Sequence, residues 1–269
     1  MDPACKICAS ATTHFGRQLV LARFEAEYRQ CGKCGYVFIV DPHWLEQAYS
    51  TAIAALDTGI VTRNLWLADA TSALLGLALR DVRRTLDFGA GSGLLVRLMR
   101  DRGHDFSWHD AYSPNLLARG FDAEPDARFD MVTAFELVEH LPEPMETFEK
   151  LRSLAPVMVI STELMPSPAR RLDDWWYYAP ESGQHIGFFT PASLAIVAER
   201  VGLRLSSNGR NLHVLAPTAV SPVLLRALRK PGRAKWLAWP GKGGSLAHQD
   251  AERLAARLRA GPNATDHDP

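Results

Sequence analysis

Leu86-Asp87-Phe88-Gly89-Ala90-Gly91-Ser92-Gly93 decides how the rest of this chain is read. An apolar run ends in an acid and turns through three alternating glycines into a helical stretch, Leu94 to Arg102. Glycine has no Cβ, so the turn can be tight and the backbone can lie close to a ligand. The helix that follows points its N-terminal amides at the same place. Asp87 adds a negative charge at the carboxyl end of the strand, where open α/β sheets bind their ligands. Downstream, Asp105-Phe106-Ser107-Trp108-His109-Asp110 reads as a second short strand. An acid about 20 residues past a glycine loop is where an α/β nucleotide fold hydrogen-bonds ribose hydroxyls. Asp110 fits that place, with Asp105 as its rival. Phe129 to Glu136 reads as a central strand, Val157 to Ser161 as another, and Pro191 to Val201 as a helix. Arg204–Ser207 and Asn211–Ala216 read as a closing pair of strands. This alternation over residues 81–217 predicts a doubly wound, Rossmann-like α/β sheet.

The glycine spacing narrows the ligand. In the dinucleotide fingerprint G-x-G-x-x-G the third glycine comes one residue later. Here Leu94 holds that position, which disfavours a nicotinamide-dependent reductase. An acid followed by G-x-G-x-G resembles motif I of the class I S-adenosylmethionine-dependent methyltransferases. Phe129-Asp130, Glu136, Glu139-His140 and Glu143-Pro144 follow in the order of that family's strand-and-helix segment under the cofactor. The resemblance covers residues 80 to 215 and implies S-adenosylmethionine as cofactor. It implies that Asp87, Gly89, Ala90, Gly91 and Gly93 hold the methionine part and that Asp110 binds the ribose. Phe135 and Glu136 would then flank the sulfonium.

All four cysteines fall in two pairs, Cys5-x2-Cys8 and Cys31-x2-Cys34. Two such knuckles about twenty residues apart read as one tetrahedral structural zinc site. Four thiolates close the ion's shell, so no catalytic role is expected of the metal. Redox pairs or disulfides are the competing readings. Neither a βαβ context nor a secretory leader accompanies them.

Asp173 to Thr190 carries four adjacent aromatics, Trp175-Trp176-Tyr177-Tyr178, and then Gly183-Gln184-His185-Ile186-Gly187. In an α/β fold such a connection can lie on the carboxyl edge of the sheet, where an acceptor binds. The expectation is that Trp175 or Tyr178 faces the acceptor while the other aromatics wedge the loop onto the core. His185 is the candidate general base, because an imidazole can take a proton near neutral pH. His140 is its rival and a candidate pocket residue. The stretch resembles the Glu-His-x-x-(Tyr/Phe)-Phe-Ser segment of zinc-containing sugar C-methyltransferases. That resemblance implies a sugar or nucleotide-linked sugar as acceptor and the histidine as base. Gln184 stands where that family usually carries Glu.

Composition bounds the remainder. The 269 residues can hold one full α/β domain and something small. Thirty basic and thirty acidic residues cancel, which gives no electrostatic argument for nucleic acid. No apolar run approaches the roughly 20 residues that span a bilayer. With no leader at Met1–Cys5, a cytoplasmic location is expected. Four regions follow: a zinc ribbon over 1–42 and a helical bridge over 43–80, then the cofactor-binding domain over 81–217 and an extension over 218–269. In the extension, Leu246, Leu254 and Leu258 suggest an amphipathic helix, and 261–269 reads as disordered. Asn263-Ala264-Thr265 matches a glycosylation sequon that a cytoplasmic chain would not use. Oligomeric state is not legible. Two other readings stay open: an RNA-base methyltransferase with a zinc ribbon, and a methyltransferase-like binding protein without turnover.

Overall fold

The computed structural model describes residues 2–49, 56–238 and 244–260. The sequon and the segment 261–269 lie outside them. Two sheets organise the chain. The larger has six strands in the order β5-β4-β6-β7-β10-β9. In sequence these are β4 (Arg84–Phe88), β5 (Asp105–His109), β6 (Met131–Phe135), β7 (Val157–Ser161), β9 (Arg204–Ser207) and β10 (His213–Ala216). The first four run parallel, and β10 pairs antiparallel with both β7 and β9. This is the Rossmann-like sheet expected, closed by the antiparallel pair.

The core follows from a period of two along each strand, which sends neighbouring side chains to opposite faces. Met158, Ile160 and Leu215 join the cluster under α4 (Pro144–Leu154) and α5 (Pro191–Arg200). Val157, Val159 and Val214 join the opposite cluster, with α2 (Ile60–Leu77), α3 (Leu94–Asp101) and α6 (Pro222–Leu228). Both faces of this sheet are therefore covered, as parallel strands require.

The second sheet has the order β1-β2-β3-β8 and is antiparallel throughout. β1 is Thr12–Val20, β2 Phe24–Cys31, β3 Val37–Ile39 and β8 Gly187–Phe188. The region expected to be a zinc ribbon holds β1, β2 and β3. β1 and β8 were not anticipated. The fourth strand comes from the loop that carries His185, so the N-terminal sheet is completed by residues 150 positions downstream in the chain (from β3 at Val37 to β8 at Gly187). Its own core holds Val37, Ile39, Trp44, Trp175, Tyr177, Tyr178 and Phe188.

The helical reading of 43–80 corresponds to α1 (Leu45–Ala48) and α2. α2 shares its apolar core with α3 and with Ala234 of α7 (Pro231–Ala238), so it covers the large sheet. Pro231 opens α7, because proline at the first helical turn loses no hydrogen bond. The expected amphipathic helix is α8 (Ala247–Ala260). Its leucine stripe is not what fixes it: Leu258 is 83% exposed. The anchor is Asp250, 3% exposed, which accepts two bonds from Arg100 (Nε 2.8 Å, Nη2 2.7 Å) and one from Arg97.

Candidate active site

At the glycine loop, Gly89, Gly91 and Gly93 have φ of 74°, 53° and 86°. Those values lie in the left-handed region that side chains disfavour. Gly91 differs from its neighbours. A Cβ on Gly89 would come 2.9 Å from Leu137, and one on Gly93 would come 3.0 Å from Ala118. A Cβ on Gly91 would meet nothing within 4 Å. The first and third glycines serve packing, and the second faces open space at the carboxyl end of the sheet. The loop is pinned from β5: Gly89 N and Ala90 N donate to the His109 carbonyl, and Trp108 Nε1 donates to the Gly91 carbonyl at 2.8 Å.

Asp87 is 3% exposed, and its Oδ1 accepts from Thr133 Oγ1 at 2.7 Å. Burial, aided by the charge of Asp110, pushes its carboxyl up to about 7. Asp110 accepts from Gly91 N with Oδ2 and from Tyr112 N and Ser113 N with Oδ1, each at 2.8 Å. It thus ties the end of β5 to the middle of the glycine loop. The rival acid, Asp105, opens β5 at its other end and is ion-paired with Arg100 at 2.7 Å. The structure brings Asp110, not Asp105, to the loop.

Phe135 and Glu136 leave β6 at the same sheet edge. Glu136 has φ of 49°. Its N–H donates to Ser161 Oγ at 2.9 Å, and Ser161 Oγ–H donates to Glu136 Oε1 at 2.7 Å. Arg63 of α2 holds Asp57 through two bonds of 2.9 and 2.8 Å, and its Nε lies 3.7 Å from Glu136 Oε2. Burial raises the Glu136 carboxyl, against the opposing charge of Arg63.

His140 and His185 meet edge to face with centroids 4.9 Å apart. Each ring is held by a main-chain carbonyl: His140 Nδ1 by Gln184 O at 2.9 Å, and His185 Nδ1 by Tyr177 O at 2.6 Å. A carbonyl only accepts, so both Nδ1 atoms carry the proton and both Nε2 atoms carry the lone pair. Burial lowers His140 to about 4 and His185 to about 3, so both rings are neutral at physiological pH. Beside them, Tyr177 donates its hydroxyl to Glu139 Oε1 at 2.5 Å. Glu139 is fully buried, and its Oε2 has no partner among the described residues. Burial, and then the charge of Glu136, push its carboxyl up to about 8. Glu139, His140 and His185 each offer one ligand atom, all within 4.8 Å of one another.

The aromatic expectation needs correcting. Trp175 and Tyr178 do not face the site. Trp175 is 9% exposed and Tyr178 1% exposed, both packed on Phe188 in the core of the N-terminal sheet. The Tyr178 hydroxyl donates to Arg170 O at 2.8 Å. Tyr177 is the ring that reaches the histidines, 4.5 Å from His185. Tyr49 stands over His140 at 6.2 Å and stacks with Tyr112 at 6.4 Å, forming a rim between the histidines and the Asp110 turn. Sequence reading missed Arg63, Tyr49, Glu139 and Tyr177. Glu139 stood in the family segment and Tyr177 in the aromatic run without a role being given to either, and Arg63 and Tyr49 carried no signal.

The four cysteines converge as expected. Their Sγ atoms lie 3.6 Å apart for Cys5–Cys34, 3.4 Å for Cys8–Cys31 and 3.7 Å for Cys8–Cys34. Sulfurs about 2.3 Å from one tetrahedral zinc ion sit about 3.8 Å apart. None is in a disulfide. The amides of Ile7, Lys33 and Cys34 donate to these sulfurs at 3.4 Å, which favours thiolates. The donor set fits the ion.

A family model described as a methyltransferase domain matches residues 62–208, more than half of the chain. The chain belongs to the methyltransferase-domain family. Two curated relatives are named ubiquinone biosynthesis O-methyltransferase. The one from Psychrobacter arcticus is 32% identical over 115 residues, which is 34% of this chain and 44% of that protein. The one from Pseudoalteromonas translucida is 27% identical over 154 residues, 47% of this chain and 65% of that protein. The chain spans about half the length of the curated relatives it matches. The crystal structure of TnmH superimposes with a TM-score of 0.50 at 17% identity, covering 66% of this chain and 62% of that one. That likeness concerns the fold. Within this methyltransferase domain, the open face of Gly91 and the adjoining Asp110 form a cradle at the carboxyl end of the sheet. No helix among the described residues is long and apolar enough to cross a membrane.

Proposed function

We propose that this chain transfers the methyl group of S-adenosylmethionine to a small-molecule acceptor, with His185 as general base and a structural zinc on Cys5, Cys8, Cys31 and Cys34. The supporting observation is the tautomer of His185. Its Nδ1 is committed to the Tyr177 carbonyl, which leaves Nε2 free to accept a proton. The bound cofactor supplies a methyl group already activated on a sulfonium. The chain's own part is alignment and proton removal. Asp87 and the glycine loop hold the methionine end, Asp110 the ribose, and Phe135 and Glu136 line the path to the acceptor. His185 Nε2 takes the acceptor's proton as the new bond to carbon forms. The electron pair of the broken carbon–sulfur bond stays on sulfur, leaving S-adenosylhomocysteine.

The low basicity of His185 bears on the acceptor. A neutral imidazole that resists protonation takes a proton most readily from an acidic hydroxyl. That favours a phenol or an enol over an ordinary alcohol. The names of the curated relatives agree with O-methylation, and the His185 segment retains the sugar reading. Assay of both acceptor classes separates them. His185→Ala is expected to lower turnover by about 10²–10⁴-fold, with cofactor affinity within about twofold. A variant that binds cofactor and keeps full turnover sinks the base assignment. Cofactor binding with no transfer to any acceptor favours the non-catalytic reading, and salt-dependent RNA binding favours the RNA-base reading.

A second reading has its own observation. The unpartnered Glu139 Oε2, with His140 and His185, offers two imidazoles and a carboxylate to a divalent cation. Titration with Mn²⁺ or Mg²⁺, and turnover in chelator, decide between cation-assisted and purely basic catalysis.

A further inference from the structure

The cysteine knuckles and the segment bearing His185 are joined at several points. β3 begins three residues after Cys34 and pairs with β8, Val37 opposite Phe188 and Phe38 opposite Gly187. Ile39 N donates to Ile186 O at 2.9 Å. Thr190 Oγ1 donates to the Cys34 carbonyl at 2.6 Å. Lys6, between Cys5 and Cys8, donates to the Pro142 carbonyl at 2.7 Å, two residues beyond His140. None of these bonds reaches the glycine loop, whose anchors are Trp108, His109 and Asp110.

One contact fixes the spacing. Tyr36, two residues past Cys34, lies against Gly187, two residues past His185. A Cβ on Gly187 would come 2.1 Å from the Tyr36 hydroxyl oxygen. That hydroxyl is fully buried and has no hydrogen-bond partner among the described residues. A buried hydroxyl without a partner is destabilising, and phenylalanine would fill the same space without it. Tyr36 therefore acts here as a strut. Its oxygen is the atom in contact with the backbone that carries His185.

We propose that the tetracysteine site is a positioning device for the acceptor side, with Tyr36 as the positioning residue that sets the height of Gly187 and so the reach of His185 Nε2. It rests on the reading of His185 as the base, and it assigns the zinc site a control over the acceptor side that does not extend to cofactor binding.

The test uses the full-length, zinc-loaded protein and needs no acceptor. Diethyl pyrocarbonate modification of His185, read by peptide mass spectrometry with exposed His248 as internal reference, reports the access of its Nε2. Hydrogen exchange over residues 184–189 reports the strand pair, and calorimetry reports S-adenosylmethionine affinity. Gly187→Ala is expected to change His185 modification at least about threefold and to speed local exchange at least about tenfold, with cofactor affinity within about twofold. Adding Tyr36→Phe to it is expected to return both toward the parent values. Tyr36→Phe alone removes an unpartnered hydroxyl and so retains the fold. It is expected to shift His185 modification by itself, which keeps the test decisive if Gly187→Ala does not fold. An unchanged His185 in Tyr36→Phe overturns the proposal. So does a Gly187→Ala effect that Tyr36→Phe leaves in place, or an equal loss of cofactor affinity. Failure of the base assignment is seen separately, as full turnover in His185→Ala while the Tyr36 and Gly187 variants still shift these readouts as expected.

Discussion

The proposed cofactor side and the proposed acceptor side of this site are built in opposite ways. The cofactor side is mostly main chain from one short span, Asp87 to Gly93, clamped by Asp110 on the neighbouring strand. The acceptor side is mostly side chains from distant segments: Tyr49, Arg63, Glu136, Glu139 and His140, Tyr177 and His185. A backbone cradle tolerates little change at its glycines but is autonomous. A side-chain constellation depends on whatever holds its segments together, here the N-terminal sheet. The two sides should therefore fail separately.

The largest effect is expected at neither chemical group. Asp250 holds α8 against Arg97 and Arg100 on α3, the helix that continues from the glycine loop. Asp250→Asn removes the bidentate carboxylate of the buried Arg100, leaving it only the single carboxylate bond to Asp105, and is expected to reduce stability by about 3 kcal/mol in urea melts. If the loss is under about 0.5 kcal/mol, as for an exposed pair, α8 does not support the cofactor half. Next comes the cradle. Gly91→Ala places a methyl group in the open space and a side chain at a φ of 53°. It is expected to weaken S-adenosylmethionine binding at least about tenfold while costing about 1 kcal/mol of stability. Unchanged affinity would mean the cofactor does not approach Gly91, and the asymmetry between the two sides would lose its basis.

A third effect concerns the acceptor side alone and is set by pH. Glu139 has its carboxyl pushed from 4.5 to about 8 by burial. The unfolded chain releases that proton at lower pH, so this group's contribution to stability falls as pH rises from 4.5 to about 8 and is level beyond. Glu139→Gln is expected to gain in melting temperature relative to the parent across that window, with no difference below pH 4.5. A constant offset at every pH would show that Glu139 is ionised in the folded protein.

The same contrast explains what could be read from the sequence. The glycine loop, Asp110 and the strand–helix alternation of the large sheet were legible because local spacing dictates backbone geometry there. The cysteine pairs were legible because metal knuckles need fixed spacing. Trp175 and Tyr178 were misplaced because a run of four aromatics has no period that says which ring turns toward solvent. The short 3-10 turn at Trp176–Tyr178 decides it. Arg63 carried no local mark: its role comes from α2 crossing the sheet edge beside Glu136. β8 was invisible for the same reason. Two residues make no strand pattern, and its partner β3 lies far upstream.

That two-residue strand limits how the chain can be recombined. The N-terminal ribbon resembles a module in sequence, yet part of its sheet and much of its core are contributed by residues 164–189. A chimera that imports a foreign ribbon must import that second segment with it. Swapped alone, residues 2–42 would bring an edge strand not matched to β8, next to a His185 segment that has lost its register. Residues 2–42 and 164–189 are thus one packing unit, divided in the chain by the domain between them.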